Sequence, residues 1–569
     1  MLQTFIFISL KLKNNYHICL SKNSHEIHFE QMQNKEIAAA FKLIAQLMEL
    51  HAENPFKIKS YANAAFKIER LEESLKDLSL DEINSIEGIG KSIGAKIGEL
   101  LLSGSFKDLE MLFEKTPSGV IEMLSIKGVG PKKIGVLWKE LQVETMGELL
   151  YACHENRLVE LSGFGTKTQD SIKKSIEFKI ANKGRFHFSG AEIIAKKILD
   201  ELKKRYKDLP IALTGSIRRK CEIIESVDIL VGEESLTISL PENELGIKVN
   251  FHFCKPEAFY TRLFETTASE KHLEVLKQLG FNGDKNYASE QDIYHTLGLQ
   301  YIEPELREGL NEIEKAKTGS LPDLIKLSDL KGIIHVHTTY SDGMHTLKQM
   351  AERCRDLGYQ YLGITDHSQS AFYANGLKHD RIVAQHQEID ALNKAMAPFK
   401  IFKGIESDIL NDGSLDYPDE VLQSFDFVIA SIHSNLKMDE QKATQRLIRA
   451  IENPYTTILG HLTGRLLLSR EGYPVDHSAV IDACAKHQVI IELNAHPYRL
   501  DIDWRWINYA LEKGVKISIN PDSHKMEGYA DMQYGVNVAR KAGLTADMTF
   551  NAQSLIAIEE YFDLRKKGF

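Results

Sequence analysis

The sequence predicts a multidomain protein: an α-helical N-terminal region, a mixed α+β middle and a C-terminal β/α barrel. Three observations carry this expectation. The chain has 569 residues, too many for one hydrophobic core, and such a length suggests about three or four domains. Apolar residues at helical spacing, broken by Gly-x-Gly turns, mark the first third. Seven short apolar runs mark residues 332–524, and all seven stop on a residue able to ligate a metal.

Composition narrows the classes. Apolar content of 43% and charged content of 26% are ordinary for a soluble globular protein. A net charge of −10 excludes a polycation that holds nucleic acid by bulk charge, but leaves local basic patches open. The six cysteines are scattered, with no CxxC pair, which fits a reducing cytoplasm. No stretch approaches a membrane span of ~20 apolar residues, so no membrane partner is expected. The opening run MLQTFIFISLKLK is too short for a signal peptide. Because Met32 opens a clean amphipathic helix, residues 1–31 read as a disordered extension or an upstream misread start.

Residues 32–184 read as helical. Ile37, Phe41, Ile44, Leu47 and Met48 recur at helical spacing, and FKIKSYANAAFKIERLEESL continues as a second amphipathic helix. Three related segments follow, INSIEGIGKSIGAKIGELL, MLSIKGVGPKKIGVLWKEL and LVELSGFGTKTQDSIKKSI. Each joins two helices through a turn: Gly88/Gly90, Gly128/Gly130 and Gly163/Gly165. Glycine permits a positive φ and close approach of a partner, and the amides of the second helix then face outward toward phosphate. Lys91, Lys96, Lys132, Lys133 and Lys167 flank the turns. This is the helix-hairpin-helix pattern, which grips DNA backbone and not base sequence. A single Gly-x-Gly ends many ordinary helices; three copies with adjacent lysines favour the DNA-binding reading.

Residues 185–310 read as mixed α and β: a helix over AEIIAKKILDELKKRY, a strand–turn–strand rhythm over IALTGSIRRKCEIIESVDILVG and a strand over KVNFHFC. A charged connector at 311–328 leads to the last domain, 329–569. There the runs end as GIIHVH, YLGITDH, IFKGIESD, FDFVIASIH, TTILGH, VIIELNAH and KISINPDSH. In a β/α barrel the C-terminal strand ends all point to one face. Imidazoles and carboxylates gathered there imply a multinuclear divalent-metal site of the hydrolytic kind.

The order of helix-hairpin-helix turns, GSIRR and HVHTTYSDG resembles the bacterial family X DNA polymerases. These join a polymerase-beta-like nucleotidyltransferase core, with palm- and thumb-like parts, to a C-terminal PHP (polymerase and histidinol phosphatase) domain, a distorted (β/α)7 barrel. The resemblance covers residues 32–565 and implies a DNA-repair protein of the bacterial cytoplasm, associated with the nucleoid. It implies that His335, His337, Glu406 and Asp522 hold a first metal. Glu406 would bridge to a second metal on His433 and His461, and Asp342, His367 and His524 would hold a third. Up to three ions, Zn²⁺ or Mn²⁺, are expected. Asp366 is expected to orient a ligand histidine and Arg465 to neutralise substrate phosphate, a surface salt bridge being the plain alternative for Arg465. His345, His379, His496 and Glu492 read as supporting or structural.

The middle departs from the family pattern. Gly215, Ser216, Arg218 and Arg219 stand as in GSxRR, suited to a triphosphate. The following D-x-D reads Ser226-Val227-Asp228, and the strand that should supply the third Asp has Asn250. A hydroxyl and a neutral amide are poor substitutes for anionic ligands of Mg²⁺, which the chain needs only if this site functions. The family's sugar-positioning Tyr-Phe-Thr-Gly-Ser reads Phe264-Glu265-Thr266-Thr267-Ala268. The expectation is a retained fold without nucleotidyl transfer. The alternative is a metal site re-formed from Glu222, Glu225 or Asp228. Lys96 falls where lyase members carry a Schiff-base lysine; a phosphate-binding or solvated lysine is the favoured alternative.

The expected activity is metal-dependent phosphoester hydrolysis on nicked, gapped or single-stranded DNA ends, as a 3′→5′ exonuclease or 3′-end phosphatase in base-excision repair. Two alternatives stand beside it: an active gap-filling polymerase with an attached exonuclease, and a DNA-binding scaffold whose barrel acts on a small phosphate ester.

Overall fold

The computed structural model describes residues 32–566, apart from residues 72, 127, 155, 156, 160, 162, 241, 242 and 244. The extension expected over 1–31 lies outside the described residues. The chain forms two compact units, the first ending at Lys183 and the second beginning at Gly184.

The first unit is helical. Helix α1 (Asn34–Leu50) buries Ile37, Phe41, Ile44, Leu47 and Met48, the stripe that the spacing predicts. Asn54 caps α2 (Pro55–Ile68) by accepting from the Phe56 amide at 2.9 Å, with proline at the first helical position, where its missing N–H costs nothing. Helices α3 (Lys91–Ser103), α4 (Pro131–Leu141) and α5 (Thr166–Ala181) each follow a Gly-x-Gly turn. The first glycine of each turn takes the same positive φ: 88° at Gly88, 83° at Gly128 and 84° at Gly163.

The second unit opens with α6 (Phe188–Arg205) packed on a sheet of β1 (Ile211–Thr214), β2 (Ser226–Val231) and β3 (Lys248–Phe253). The turn expected between β1 and β2 begins as a helical turn, Gly215–Arg218. β1 and β2 run antiparallel, with Thr214 opposite Asp228, whereas β2 and β3 run parallel, with Asp228 opposite Asn250. Residues 311–328, expected as a connector, are instead packed into the unit. Ile313 and Ala316, on the helix Glu312–Lys317, join a core with Phe264 and Tyr294, and Ile325 is buried in the barrel's core.

Seven parallel strands build the barrel in sequence order: β4 (Gly332–Ile333), β5 (Tyr361–Ile364), β6 (Lys400–Asp408), β7 (Phe427–Ser431), β8 (Thr456–Leu459), β9 (Ile490–Asn494) and β10 (Ile517–Asn520). A bridge between Val336 and Ser523, just beyond β4 and β10, nearly closes the ring. β5 and β7 through β10 are buried at every position, as strands covered on both faces must be. His335 and His337 reach the site differently from the plain extended segment that their i, i+2 spacing predicts. β4 ends at Ile333, and His335 takes a φ of 72°. Among the described residues no helix is long and apolar enough to cross a membrane.

Candidate metal centre and nucleic-acid interface

Glu406, near the C-terminal end of β6, is the centre of the cluster. Its Oε1 lies 3.2 Å from His335 Nε2, 3.2 Å from His433 Nε2 and 3.0 Å from His461 Nε2. Its Oε2 lies 3.0 Å from His367 Nδ1 and 3.6 Å from His337 Nε2. His337 Nε2 is also 3.1 Å from Asp522 Oδ1. At the rim, Asp342 Oδ1 lies 3.6 Å from His367 Nε2 and 3.4 Å from His524 Nε2. All nine expected ligand residues therefore converge.

Three groups of donor atoms, each within 4.8 Å, could hold an ion: His335/His337/Asp522, His367/Glu406/His433, and His337/Asp342/His367/His524. The grouping differs from the expected one in two respects. His337 and His367 are each shared between groups, and Glu406 collects with His367 and His433, while His461 approaches Glu406 from the side. Sequence spacing identifies the residues but does not decide how their rings divide the space.

Two buried carboxylates set the histidine rings. His335 Nδ1 donates to Glu492 at 2.5 Å, and His433 Nδ1 donates to Asp408 at 2.6 Å, turning each Nε2 toward Glu406. Glu492 also accepts from the His461 amide, Asn494 and Asn520. His335 Nε2, His337 Nδ1 and Glu406 Oε2 are buried without a hydrogen-bond partner. Such orphaned lone pairs are costly, and a cation would satisfy them. This set of imidazole and carboxylate donors without thiolate fits divalent zinc or manganese.

Charge follows the same geometry. Burial, with His524 and His367 alongside, pushes His337 down to about 3; its neutral ring keeps a lone pair to give. Burial opposes the charge on His433, but Glu406 and Asp408 raise it to about 10. Burial would raise Glu406, yet His433, His335 and His367 hold it well below the usual carboxylate range.

The cluster opens into a cavity of about 290 Å³ lined by Asp342, His367, His433, Asp522, His524, Arg470 and Arg499, with Ile432 and Leu436. Arg465 and Asp366, both expected beside the site, have well-defined partners. Arg465 forms the salt bridge that was its alternative: its guanidinium is held by Asp503 at 2.6 Å, the Arg499 carbonyl at 3.0 Å and the Leu500 carbonyl. Asp366 is bound by the loop after His337. It accepts from the Thr338 amide at 2.7 Å, Ser341 Oγ at 2.5 Å and Gln385 Nε2 at 2.6 Å, and so fixes the loop that carries Asp342. The arginines that reach the cavity, Arg470 and Arg499, sit on loops and left no periodic trace in the sequence. Asp408 was legible in principle, since it lies at i+2 from Glu406 in a strand and shares its face. His345 accepts from the Met526 amide, His496 from the Tyr498 amide, and His379 starts an outer helix.

In the middle domain Asp228 is surrounded by donors. Ser226 Oγ lies 2.8 Å from its Oδ2, and Asn250 Nδ2 and His252 Nε2 lie 3.0 and 3.1 Å from its Oδ1. Neither Glu222 nor Glu225 joins it: Glu222 binds Trp504 and Arg505, and Glu225 pairs with Arg185. Arg219, expected at a nucleotide phosphate, is engaged by protein groups: its guanidinium binds Glu308 at 3.0 Å and the Thr267 carbonyl at 2.5 Å, and Glu308 is paired in turn with Lys541. Arg218 is bound by Glu290 and by Thr267 Oγ1 at 2.7 Å. Gly215, at φ 67°, lies directly against Asp228, and Ser216 begins the helical turn beside it.

In the first unit, Gly90 and Gly130 cap α3 and α4, and a side chain at Gly90, Gly130 or Gly165 would meet nothing within 4 Å. The backbone there is open to a close partner. Lys91, Lys132 and Lys167 are exposed, and Lys133 lies over the Phe164 ring at 5.4 Å. Lys96 differs from these: its Nζ donates to Asp108 Oδ2 at 2.9 Å, beside Tyr61 and Lys57 on the same carboxylate. An amine so held is not presented as a nucleophile.

Residues 32–106 match the helix-hairpin-helix domain family, and residues 334–496 match the PHP domain family. The chain is 35% identical over 570 residues to the DNA polymerase/3′-5′ exonuclease PolX of Bacillus subtilis (strain 168), an alignment covering 93% of this chain and 99% of that protein. Its barrel region is 27% identical over 251 residues to a probable phosphatase of Thermoanaerobacter sp. (strain X514), covering 42% of this chain and 97% of the relative. A probable phosphatase of Caldanaerobacter subterraneus is 25% identical over 41% of this chain and 91% of its own length.

Proposed function

The chain belongs to the bacterial family X DNA polymerases that carry a PHP domain, and from that premise we propose that it is a DNA-end phosphoesterase, a 3′→5′ exonuclease or 3′-end phosphatase, without nucleotidyl transfer. The observation that carries this reading is the buried histidine–carboxylate cluster around Glu406, opening into a cavity with two arginines on its wall. His335, His337, Asp342, His367, Glu406, His433, His461, Asp522 and His524 would hold the ions. Divalent ions in such a set supply Lewis acidity toward a phosphoester and acidify a water. Glu492 and Asp408 orient the rings. Arg470 and Arg499 meet the negative charge of a phosphate, and the depth of Glu406 keeps bulk water from its carboxylate. The helix-hairpin-helix turns, with Lys91, Lys132, Lys133 and Lys167, hold DNA by its backbone.

The loss of nucleotidyl transfer is supported by Asp228, whose oxygens are engaged by Ser226, Asn250 and His252, and by arginines already bound to Glu290 and Glu308. A second reading, hydrolysis of a small phosphomonoester, is favoured by the likeness of the barrel to probable phosphatases. End-labelled DNA incubated with Mn²⁺ should be shortened or dephosphorylated at its 3′ end, and faster than a small phosphomonoester is hydrolysed. His335→Ala or Asp522→Ala should abolish hydrolysis and leave DNA affinity within about twofold, well below the tenfold that 1.4 kcal/mol represents. Retained hydrolysis in either variant would put the active site elsewhere.

A further inference from the structure

The two arginines of the cavity sit on neighbouring loops, and one residue of the middle domain holds both loops. Arg470 follows the segment that contains Leu467, and Arg499 follows Tyr498. The loops are tied to each other by one backbone bond, from the Leu467 amide to the Tyr498 carbonyl at 2.7 Å. Onto this tie is set His187, which ends the two-residue strand Phe186–His187 and caps the N-terminus of α6. Its Nε2 donates to the Leu467 carbonyl at 2.9 Å, and its ring packs on Tyr498 with centroids 4.3 Å apart. The tie therefore has a contact on each loop, both made by one side chain that takes no part in the metal cluster.

Within the barrel Arg470 is anchored through one carbonyl and Arg499 is paired at long range. Arg470 donates Nε and one terminal nitrogen to the Gly464 carbonyl, and Arg499 Nε lies 3.8 Å from Asp522. A guanidinium binds phosphate well only when its planar fork is presented correctly, and on loops that presentation depends on what holds the loops.

We propose that His187 is a positioning residue for phosphate: through Leu467 and Tyr498 it sets Arg470 and Arg499 as a pair that binds the non-bridging oxygens of a phosphoryl group. The inference rests on the phosphoesterase reading for its relevance, but it concerns anion binding and can be measured without turnover. The nucleotidyltransferase-like core is on this view a working part of the hydrolytic site.

The test is titration calorimetry of inorganic phosphate into the full chain loaded with Mn²⁺. Wild type should bind phosphate, and Arg470→Ala/Arg499→Ala should lose most of that affinity. His187→Ala should weaken binding about tenfold, and His187→Gln, whose amide can still donate to the Leu467 carbonyl, should recover part of the loss. In the background lacking both arginines, His187→Ala should change affinity no further, because residues acting through one element are not additive. Tyr498→Ala, at an exposed side chain, removes the other contact and should mimic His187→Ala, so the idea remains testable if His187 variants fold poorly. Wild-type affinity in both His187→Ala and Tyr498→Ala would overturn the proposal. So would a further loss in the arginine-free background, or no phosphate binding by wild type. Hydrolysis of DNA ends, measured in parallel, reports on the catalytic reading separately: a wild type that binds phosphate through His187 but cleaves nothing would sink that reading and leave this one.

Discussion

Glu406 has five imidazoles within 3.6 Å of its two oxygens, and no packing requirement accounts for such crowding. The rings must be steered, and Glu492 and Asp408 do so from behind. Removing a carboxylate that orients a ligand histidine typically costs 10–100-fold in metal affinity or activity. Glu492→Gln and Asp408→Asn should each lower metal affinity by about that range in a chelator-competition titration, while near-ultraviolet circular dichroism stays native. Unchanged affinity in both variants would show that the rings orient themselves. At this scale the convergence of the nine candidate ligands was legible in the sequence, because histidine and acidic residues that repeatedly end apolar strands suit metal binding and do nothing for a core. The sequence was nearly silent on Arg470, Arg499 and the partners of Arg219. Arginine on a loop carries no periodicity, and an ion pair between residues 89 positions apart leaves no local mark.

The elements were legible where a pattern repeats. Three Gly-x-Gly turns predicted three copies of one backbone shape, and the first glycines agree within 5° in φ. Barrel strands were equally plain as bounded apolar runs. What failed was the simple extension of strand geometry through His335. Closure of the ring at Val336–Ser523 bends the chain just where the ligands emerge, a tertiary requirement that period-2 reasoning cannot anticipate. The connector at 311–328 misled for a related reason: its charges are visible in sequence, whereas the burial of Ile313 and Ile325 depends on distant partners. The hairpin elements also permit a direct test. Replacing Lys132 and Lys133 together by alanine should weaken binding alike for unrelated DNA sequences and reduce the slope of log affinity against log salt by about one to two units. Loss confined to one base sequence would contradict a backbone-binding role.

For the molecule as a whole, the proposed division of labour is binding in the helical unit and hydrolysis in the barrel, with no chemistry of its own in the nucleotidyltransferase-like core. Two-metal transfer needs converging carboxylates, and Ser226 and Asn250 stand in place of two. No template-directed extension above background is expected on a one-nucleotide gap with Mn²⁺ in a His335→Ala protein, where degradation cannot mask synthesis. Extension that disappears in an additional Asp228→Ala variant would show a rebuilt metal site and refute the reading.

The bond network from Arg219 through Glu308 to Lys541 bears on history as well as on chemistry. Lys541 belongs to the barrel helix α7 (Met532–Lys541) and is almost completely buried. An arginine that its motif would set against a triphosphate stands here in a link between two domains. Breaking one partner of a buried pair typically costs about 3–5 kcal/mol, so freeing Arg219 for a nucleotide would loosen the joint that Lys541 now closes. On the proposed reading, aspartates placed at 226 and 250 would therefore not by themselves give nucleotidyl transfer. On the proposed reading the loss is entrenched by reuse, and the route back is steeper than the two missing carboxylates suggest.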